Sequence, residues 1–343
     1  MTVGVEEELM LLDPETLDLA PVGPRALETV ADPRFKLEFP AAQIEIVTEP
    51  AAAAGGVADQ LVAARRTLAE AVCEFARPAG TGLHPFAAAD GALNPGPRYE
   101  RTLHHYGPVA ARQQLCALQV HVAVRGADRA LAVHNALRAH LPEIAALAAN
   151  APFHDGRDTG MASARPKVSE LLPRQGVPPV LPSWEAFAGA LRWGAAAGPM
   201  VDYRSWWWEL RPNPAFGTLE VRVPDAQTTV AEAAAVVATV HALVAWLAAR
   251  HDAGESLGAP PDWRIAENRW AALRDGVEGT LADLGTGARR PTRERLLELC
   301  DAVGPHAEGP LDGTRALVER NAAMELRAVG VDGAAAWLAE AFA

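Results

Sequence analysis

The stretch Val3-Gly4-Val5-Glu6-Glu7-Glu8-Leu9-Met10-Leu11-Leu12 sets three consecutive carboxylates inside an apolar run. Read as a β-strand it alternates its side chains, so Glu6 and Glu8 share one face and Glu7 lies on the other. Carboxylates among Val, Leu and Met lose their hydration on burial and need a partner. A hard divalent cation is one such partner, because magnesium and manganese favour oxygen ligands. A solvated edge strand and arginines from elsewhere in the chain are the others. The strand by itself leaves all three open.

Three further segments repeat the pattern. Gln43-Ile44-Glu45-Ile46-Val47 puts Gln43, Glu45 and Val47 on one face and two isoleucines on the other. The run from Cys116 to Val124 carries Gln119 and His121 on one face, and Thr218 to Val223 carries Glu220 and Arg222 opposite Leu219 and Val221. A carboxylate beside a guanidinium can be a plain ion pair. Solvated faces would draw equally on Lys, Ser and Thr, so Glu or His recurring in four apolar strands favours one shared polar face. In that setting Glu220 suits a cation and Arg222 a phosphate, which matches its fixed fork of donors.

Around these strands the chain reads as largely helical. Residues 58–77 form an amphipathic helix stopped by Pro78 and Gly80, residues 128–149 a helix broken near Pro142, and residues 229–250 a long helix. Residues 152–182 are rich in Gly, Pro and charge and read as a long functional loop. Residues 206–211 and 218–223 read as two strands joined by a turn containing Pro212-Asn213-Pro214. The pattern is α+β: a largely antiparallel sheet with one polar, site-forming face and helices covering the other. No Gly-rich strand-to-helix turn or Walker-type loop appears, which argues against a Rossmann fold or a P-loop.

Composition narrows the function classes. Of 343 residues, 50% are hydrophobic and 22% charged, a globular balance. A net charge of −12 argues against a nucleic-acid partner. Cys73, Cys116 and Cys300 are widely spaced, forming neither a disulfide framework nor a zinc motif, and fit a reducing cytoplasm. The first residues lack a basic and apolar leader, and the apolar stretch at 231–249 contains Glu232 and His241, so no membrane partner is expected. The expectation is a cytoplasmic protein acting on small molecules.

Longer motifs sharpen this. They are Gly4-Val5-Glu6-Glu7-Glu8, Gln43-Ile44-Glu45-Ile46-Val47-Thr48-Glu49-Pro50, Leu83-His84-Pro85-Phe86, Asp158-Thr159-Gly160 through Ser163-Ala164-Arg165, Trp208-Glu209-Leu210-Arg211-Pro212-Asn213-Pro214 through Arg222, and Glu267-Asn268-Arg269-Trp270. With these in this order, the chain resembles the type 2 glutamate–cysteine ligases, in particular their bacterial carboxylate–amine ligase branch. The resemblance implies a glutamine-synthetase-like fold over a single catalytic domain, 1–343, whose antiparallel sheet forms a funnel. It implies an ATP-dependent ligase that phosphorylates a glutamate carboxylate and lets an amine such as cysteine displace phosphate, giving a γ-glutamyl amide. The implied cofactors are ATP and Mg2+, with Mn2+ as an alternative, and a homodimer is compatible.

By motif, Glu6, Glu8, Glu45 and Glu220 resemble magnesium ligands, with Glu38, seven positions before Glu45, as a fifth. Arg222, Arg211 and Arg165 take the catalytic, phosphate-binding roles; His84, Gln119 and His121 take substrate-binding ones. Residues 153–167 are the expected closing loop over a water-sensitive acyl phosphate. Two departures stand out: Gln119 occupies a position where this family commonly has His, and Glu209 one where it has Asp. A low-turnover nucleotide-binding pseudoenzyme and a phosphagen-kinase-like phosphotransferase are the alternative readings. His134, His140, His241 and His251 lie in helical segments and read as structural or surface residues.

Overall fold

The predicted first strand forms, and the rest of the sheet is laid out from it. In the computed structural model, which describes residues 1–198, 200 and 203–342, this is β1 (Val3–Leu12). It is followed by β2 (Phe35–Leu37), β3 (Gln43–Val47), β4 (Arg77–Ala79) and β5 (Leu118–Ala123). A two-residue hairpin, β6 (Phe153–His154) and β7 (Arg157–Asp158), precedes β8 (Leu210–Asn213) and β9 (Thr218–Val221). The main sheet has seven strands in the order β2-β3-β1-β5-β9-β8, with β4 joined to the far end of β1. Every one of its pairings is antiparallel. The sheet is open rather than closed on itself.

Period-two alternation gives the sheet its two characters. Val5, Leu9 and Leu11 of β1, Ile44 and Ile46 of β3, Val120 and Val122 of β5, and Leu219 and Val221 of β9 belong to one buried apolar cluster. The helices Ala54–Val72 and Val230–Asp252 supply Leu61, Leu68, Val237 and Leu243 to the same cluster. Met10 and Leu12 point the other way, into a second cluster with Ala79, Cys116, Phe153 and the C-terminal residues Leu326 and Leu338. The polar face of β1 is therefore limited to its first half.

Glu7 lies on the apolar side, as alternation requires, and is completely buried. Its oxygens accept from Arg65 Nε at 3.0 Å and Nη2 at 2.7 Å, the guanidinium reaching in from the helix Ala54–Val72. Arg65 also donates to the carbonyls of Thr228 and Gln227, at 2.7 and 2.8 Å, and lies over the Phe342 ring.

Val230–Asp252 is long and apolar enough to cross a membrane by length and composition, yet most of it is buried inside the fold. It starts at a capping box: the Glu232 N–H donates to Thr229 Oγ1 at 3.2 Å and the Thr229 N–H to Glu232 Oε2 at 2.8 Å. Thr229→Ala is expected to lower stability by about 1 kcal/mol in a urea titration. An unchanged midpoint would deny the cap this role.

Three expectations need correcting. The helix read at 58–77 runs over Ala54–Val72, and Arg77 opens β4 instead. The strand read at 206–211 starts only at Leu210 and continues through Pro212 and Asn213. A proline fits there because β8 is the edge of the sheet, where no neighbour needs its N–H. The turn lies just beyond, with Gly217 at φ 65°. The expected closing loop, residues 153–167, is not irregular throughout: it holds the β6–β7 hairpin and the start of the helix Arg165–Ser169, with Ala162 and Ser163 donating backbone bonds to Arg274 and Leu273, and Ala164 to Ala151. Only Arg165 of that segment reaches the cleft.

Candidate active site

The polar face of the sheet forms the floor of a cleft of about 430 Å³. Register brings the charges together. Glu8 stands opposite Glu45, Glu6 opposite Gln119, His121 opposite Glu220, and Glu220 opposite Arg211. Directly opposed side chains in a sheet lie about 5 Å apart, and like charges so placed repel unless something bridges them.

Two groups result. In the first, oxygens of Glu8, Glu38 and Glu45 lie within 4.8 Å of one another. Glu38 follows β2 directly; its backbone carbonyl accepts from Asn94 Nδ2 at 2.7 Å. In the second group, atoms of Glu6, His121 and Glu220 meet within the same 4.8 Å. His121 Nε2 is 3.5 Å from Glu6 Oε1 and 4.0 Å from Glu220 Oε2. Its other nitrogen, Nδ1, is 3.1 Å from Thr218 Oγ1.

The two groups differ in electrostatics. Burial and the neighbouring Glu38 charge push Glu8 up to about 7, against the pull of Arg222. Burial, then Glu38, Glu6 and Glu8, raise Glu45 well above the carboxylate range. Glu220 is buried too, but Arg211 and Arg222 together overcome that penalty and hold it well below the usual range. Arg211 grips it with Nε on Oε2 and Nη2 on Oε1, both at 2.8 Å, and Arg222 Nη1 reaches Oε1 at 2.5 Å. Among the described residues no guanidinium grips the first group in this way, and Lys36, opposite Glu45, only partly offsets its charge.

Both groups fit a divalent cation. The first offers three crowded carboxylates in a low-dielectric wall, the donor set hard cations choose. The second holds a buried His121 Nε2 with no hydrogen-bond partner among the described residues, aimed between two carboxylates. The contact of Nδ1 with Thr218 orients the ring, as outer partners of ligating histidines do.

The remaining residues singled out in the sequence fall as follows. Arg222, Arg211, Arg165 and Gln119 line the cleft with Glu6, Glu8, Glu38 and Glu45. Arg211 spends its guanidinium on Glu220 and on the carbonyls of Arg204 and Trp206. Arg165 binds Asp225 through Nε at 2.6 Å and the Val223 carbonyl through Nη2 at 2.6 Å. His121 stands with Glu6 and Glu220 rather than in a separate substrate pocket. His84 is away from the cleft: Nε2 contacts the Leu17 carbonyl at 2.8 Å and Nδ1 accepts from the Ala87 N–H at 2.9 Å. Both nitrogens serve a turn.

Lys36, Tyr99, Asn213 and Phe216 also line the cleft, and sequence reasoning missed them as site residues. Asn213 shares a strand face with Arg211, two residues away, a signal hidden by ending that strand at Arg211. Of the three consecutive tryptophans, Trp206 is buried and Trp207 lines the cleft, its ring tilted 60° to that of Tyr106 with the centroids 5.5 Å apart. His134 and His241 are buried in helices away from the cleft.

Comparison with known proteins is consistent along the chain. The family described as glutamate–cysteine ligase family 2 matches residues 2–335. A Rubrobacter xylanophilus protein named "Putative glutamate–cysteine ligase 2-3" is 37% identical over 361 residues, covering 100% of this chain and 97% of its own. A similarly named Salinispora tropica protein is 35% identical, covering 93% of this chain and 85% of its own. Among solved structures, a glutamate–cysteine ligase from Francisella tularensis, in complex with AMP, superposes with a TM-score of 0.74 at 12% identity, covering 99% of this chain and 87% of its own. A bifunctional glutathione synthetase from Pasteurella multocida gives 0.73 at 14% identity, covering 99% of this chain and 52% of its own. These two share the fold of this chain.

Proposed function

This chain belongs to the glutamate–cysteine ligase family 2, and from that premise we propose that it is an ATP- and magnesium-dependent carboxylate–amine ligase forming a γ-glutamyl amide. The observation that carries the reading is that Glu8, Glu38, Glu45, Glu6 and Arg222 line one cleft, with His121 and Glu220 completing the second cation-suited group directly behind Glu6 and Arg222. ATP use is supported by the family and by the AMP complex of a protein sharing the fold. Glu8, Glu38 and Glu45 would hold one Mg2+, and Glu6, His121 and Glu220 another. The ions supply neutralising charge for the ATP phosphates.

In the reaction, a glutamate carboxylate oxygen attacks the γ-phosphorus and ADP departs. The amine then attacks the acyl carbon, phosphate leaves with the bonding pair, and the amine gives up a proton. The protein's task in such a transfer is positioning and charge neutralisation. Arg222 uses Nη1 for Glu220 and Gln119, and the rest of its fork is offered to the nucleotide phosphates, the transferring group included. Arg211 holds Glu220 ionised in place. Arg165, fixed by Asp225, adds positive charge beside the cleft.

The test is ADP release in the presence of ATP, Mg2+, glutamate and cysteine, each omitted in turn. A ligase releases ADP and phosphate only when acid and amine are both present. A stable phosphorylated product would indicate a phosphotransferase, and no ADP with any amine tested would indicate a binding protein.

Cation affinity should depend on pH with a defined sign. Glu8 sits near 7 in the metal-free fold, above its unfolded value, so the folded state holds its proton more tightly. Metal-free stability from this group is therefore full below about 4.5 and lost as pH rises to about 7. Mg2+ must displace that proton, and the one that the raised Glu45 holds, so its midpoint in thermal unfolding should tighten by roughly tenfold or more per pH unit as pH rises from 5.5 towards 7. A midpoint constant from pH 5.5 to 8 would remove Glu8 from the cation site.

A further inference from the structure

Gln119 stands between the two carboxylate groups and touches both sides. Its Nε2 donates to Glu8 Oε1 at 2.7 Å, while its Oε1 accepts from Arg222 Nη1. Arg222 Nη1 donates in turn to Glu220 Oε1. The result is one line, Glu8–Gln119–Arg222–Glu220, joining the first group to the second. Glu8 Oε2 accepts from the Ala117 N–H at 2.6 Å, a backbone anchor that Glu8 keeps without Gln119.

A carboxamide suits this place for a chemical reason. It presents one acceptor and two donors on a planar group and carries no charge at any relevant pH. A glutamate there would set a third carboxylate against Glu8, and a lysine would leave Arg222 facing a second cation. The amide oxygen faces the Arg222 guanidinium, a cation that disfavours a metal ion on the same oxygen.

We infer that Gln119 is a positioning residue: it aims Arg222 at the anion held in the cleft, and it is not itself a cation ligand. The inference rests on the ligase reading for the identity of that anion, a nucleotide polyphosphate. Without this brace, Arg222 keeps its bond to Glu220 but loses the second contact that sets the plane of its fork. An interaction made through that plane is the kind lost by small misalignments.

The experiment is a double-variant cycle read by binding. Gln119→Met, Arg222→Met and the pair are titrated with MgADP, and separately with Mg2+ alone, by thermal unfolding of the full chain. Gln119→Met should weaken MgADP at least tenfold and shift the Mg2+ midpoint less than threefold. The pair should bind MgADP within twofold of Arg222→Met alone, because Gln119 acts through Arg222. Gln119→Asn, which stays polar but is one methylene too short to span both partners, should repeat the MgADP loss and serves if the Met variant does not fold.

Losses that multiply in the pair, or a Mg2+ midpoint displaced tenfold in either single Gln119 variant, would overturn the positioning role. A wild-type protein that binds Mg2+ but no MgADP would overturn the ligase reading and this inference with it. Wild-type MgADP binding with multiplying losses would overturn this inference alone.

Discussion

Glu220→Gln is expected to abolish amine-dependent ADP release, by at least roughly a thousandfold, and to cost the fold roughly 3–5 kcal/mol as well. From sequence, a charge-only change at this position looks harmless to folding. The structure argues otherwise. Glu220 is 0% exposed and is the shared counter-ion of Arg211 and Arg222. Neutralising it leaves one guanidinium buried and another partly buried, each without its charge partner, which is far costlier than losing a surface pair.

Because stability and activity fall together, a second variant separates them. Glu220→Gln with Arg211→Met removes one of the stranded charges and should recover part of the urea midpoint, since contacting residues do not add. It should recover no turnover. Activity returning with stability would mean that Glu220 matters only to the fold, and the second cation group would then lose its central ligand.

Arg65→Met should be the most damaging single change on the opposite face, again roughly 3–5 kcal/mol, because it strands Glu7 in the core. It also withdraws donors from the carbonyls of Gln227 and Thr228, which join β9 to the helix Val230–Asp252. Pairing it with Glu7→Leu removes the stranded charge but not those two carbonyls, so recovery should be partial. The Mg2+ midpoint of whatever folds should stay within about twofold of wild type, since the sheet separates Arg65 from the cleft. A large change in Mg2+ affinity would show the two faces to be coupled.

Much of the site was legible because a strand has a period of two. Alternation in four short segments put Glu6, Glu8, Glu45, Gln119, His121, Glu220 and Arg222 on a common polar face, and the register delivers that face. What a one-dimensional pattern cannot convey is which atoms are already engaged. Arg211 and Arg165 carry the charge expected of phosphate binders, yet much of each guanidinium is used by Glu220 or Asp225 and by nearby carbonyls. His84 sits in a matching motif, but backbone groups engage both of its nitrogens. The partner of Glu7 was invisible for another reason: it lies 58 residues away, on a helix whose pattern reports only which side faces inward.

The opposition of Glu8 and Glu45 across β1 and β3 has a consequence for how the chain reaches its fold. These two strands are neighbours at the middle of the sheet, and closing them at neutral pH brings like charges together as water leaves. Any such repulsion felt before the barrier slows the approach to it, whereas repulsion felt after it quickens escape from the finished fold. A cation captured early therefore speeds refolding, and one captured late lengthens the lifetime of the folded state. These two carboxylates make zipping of the strands sensitive to the salt and acidity in which the chain folds.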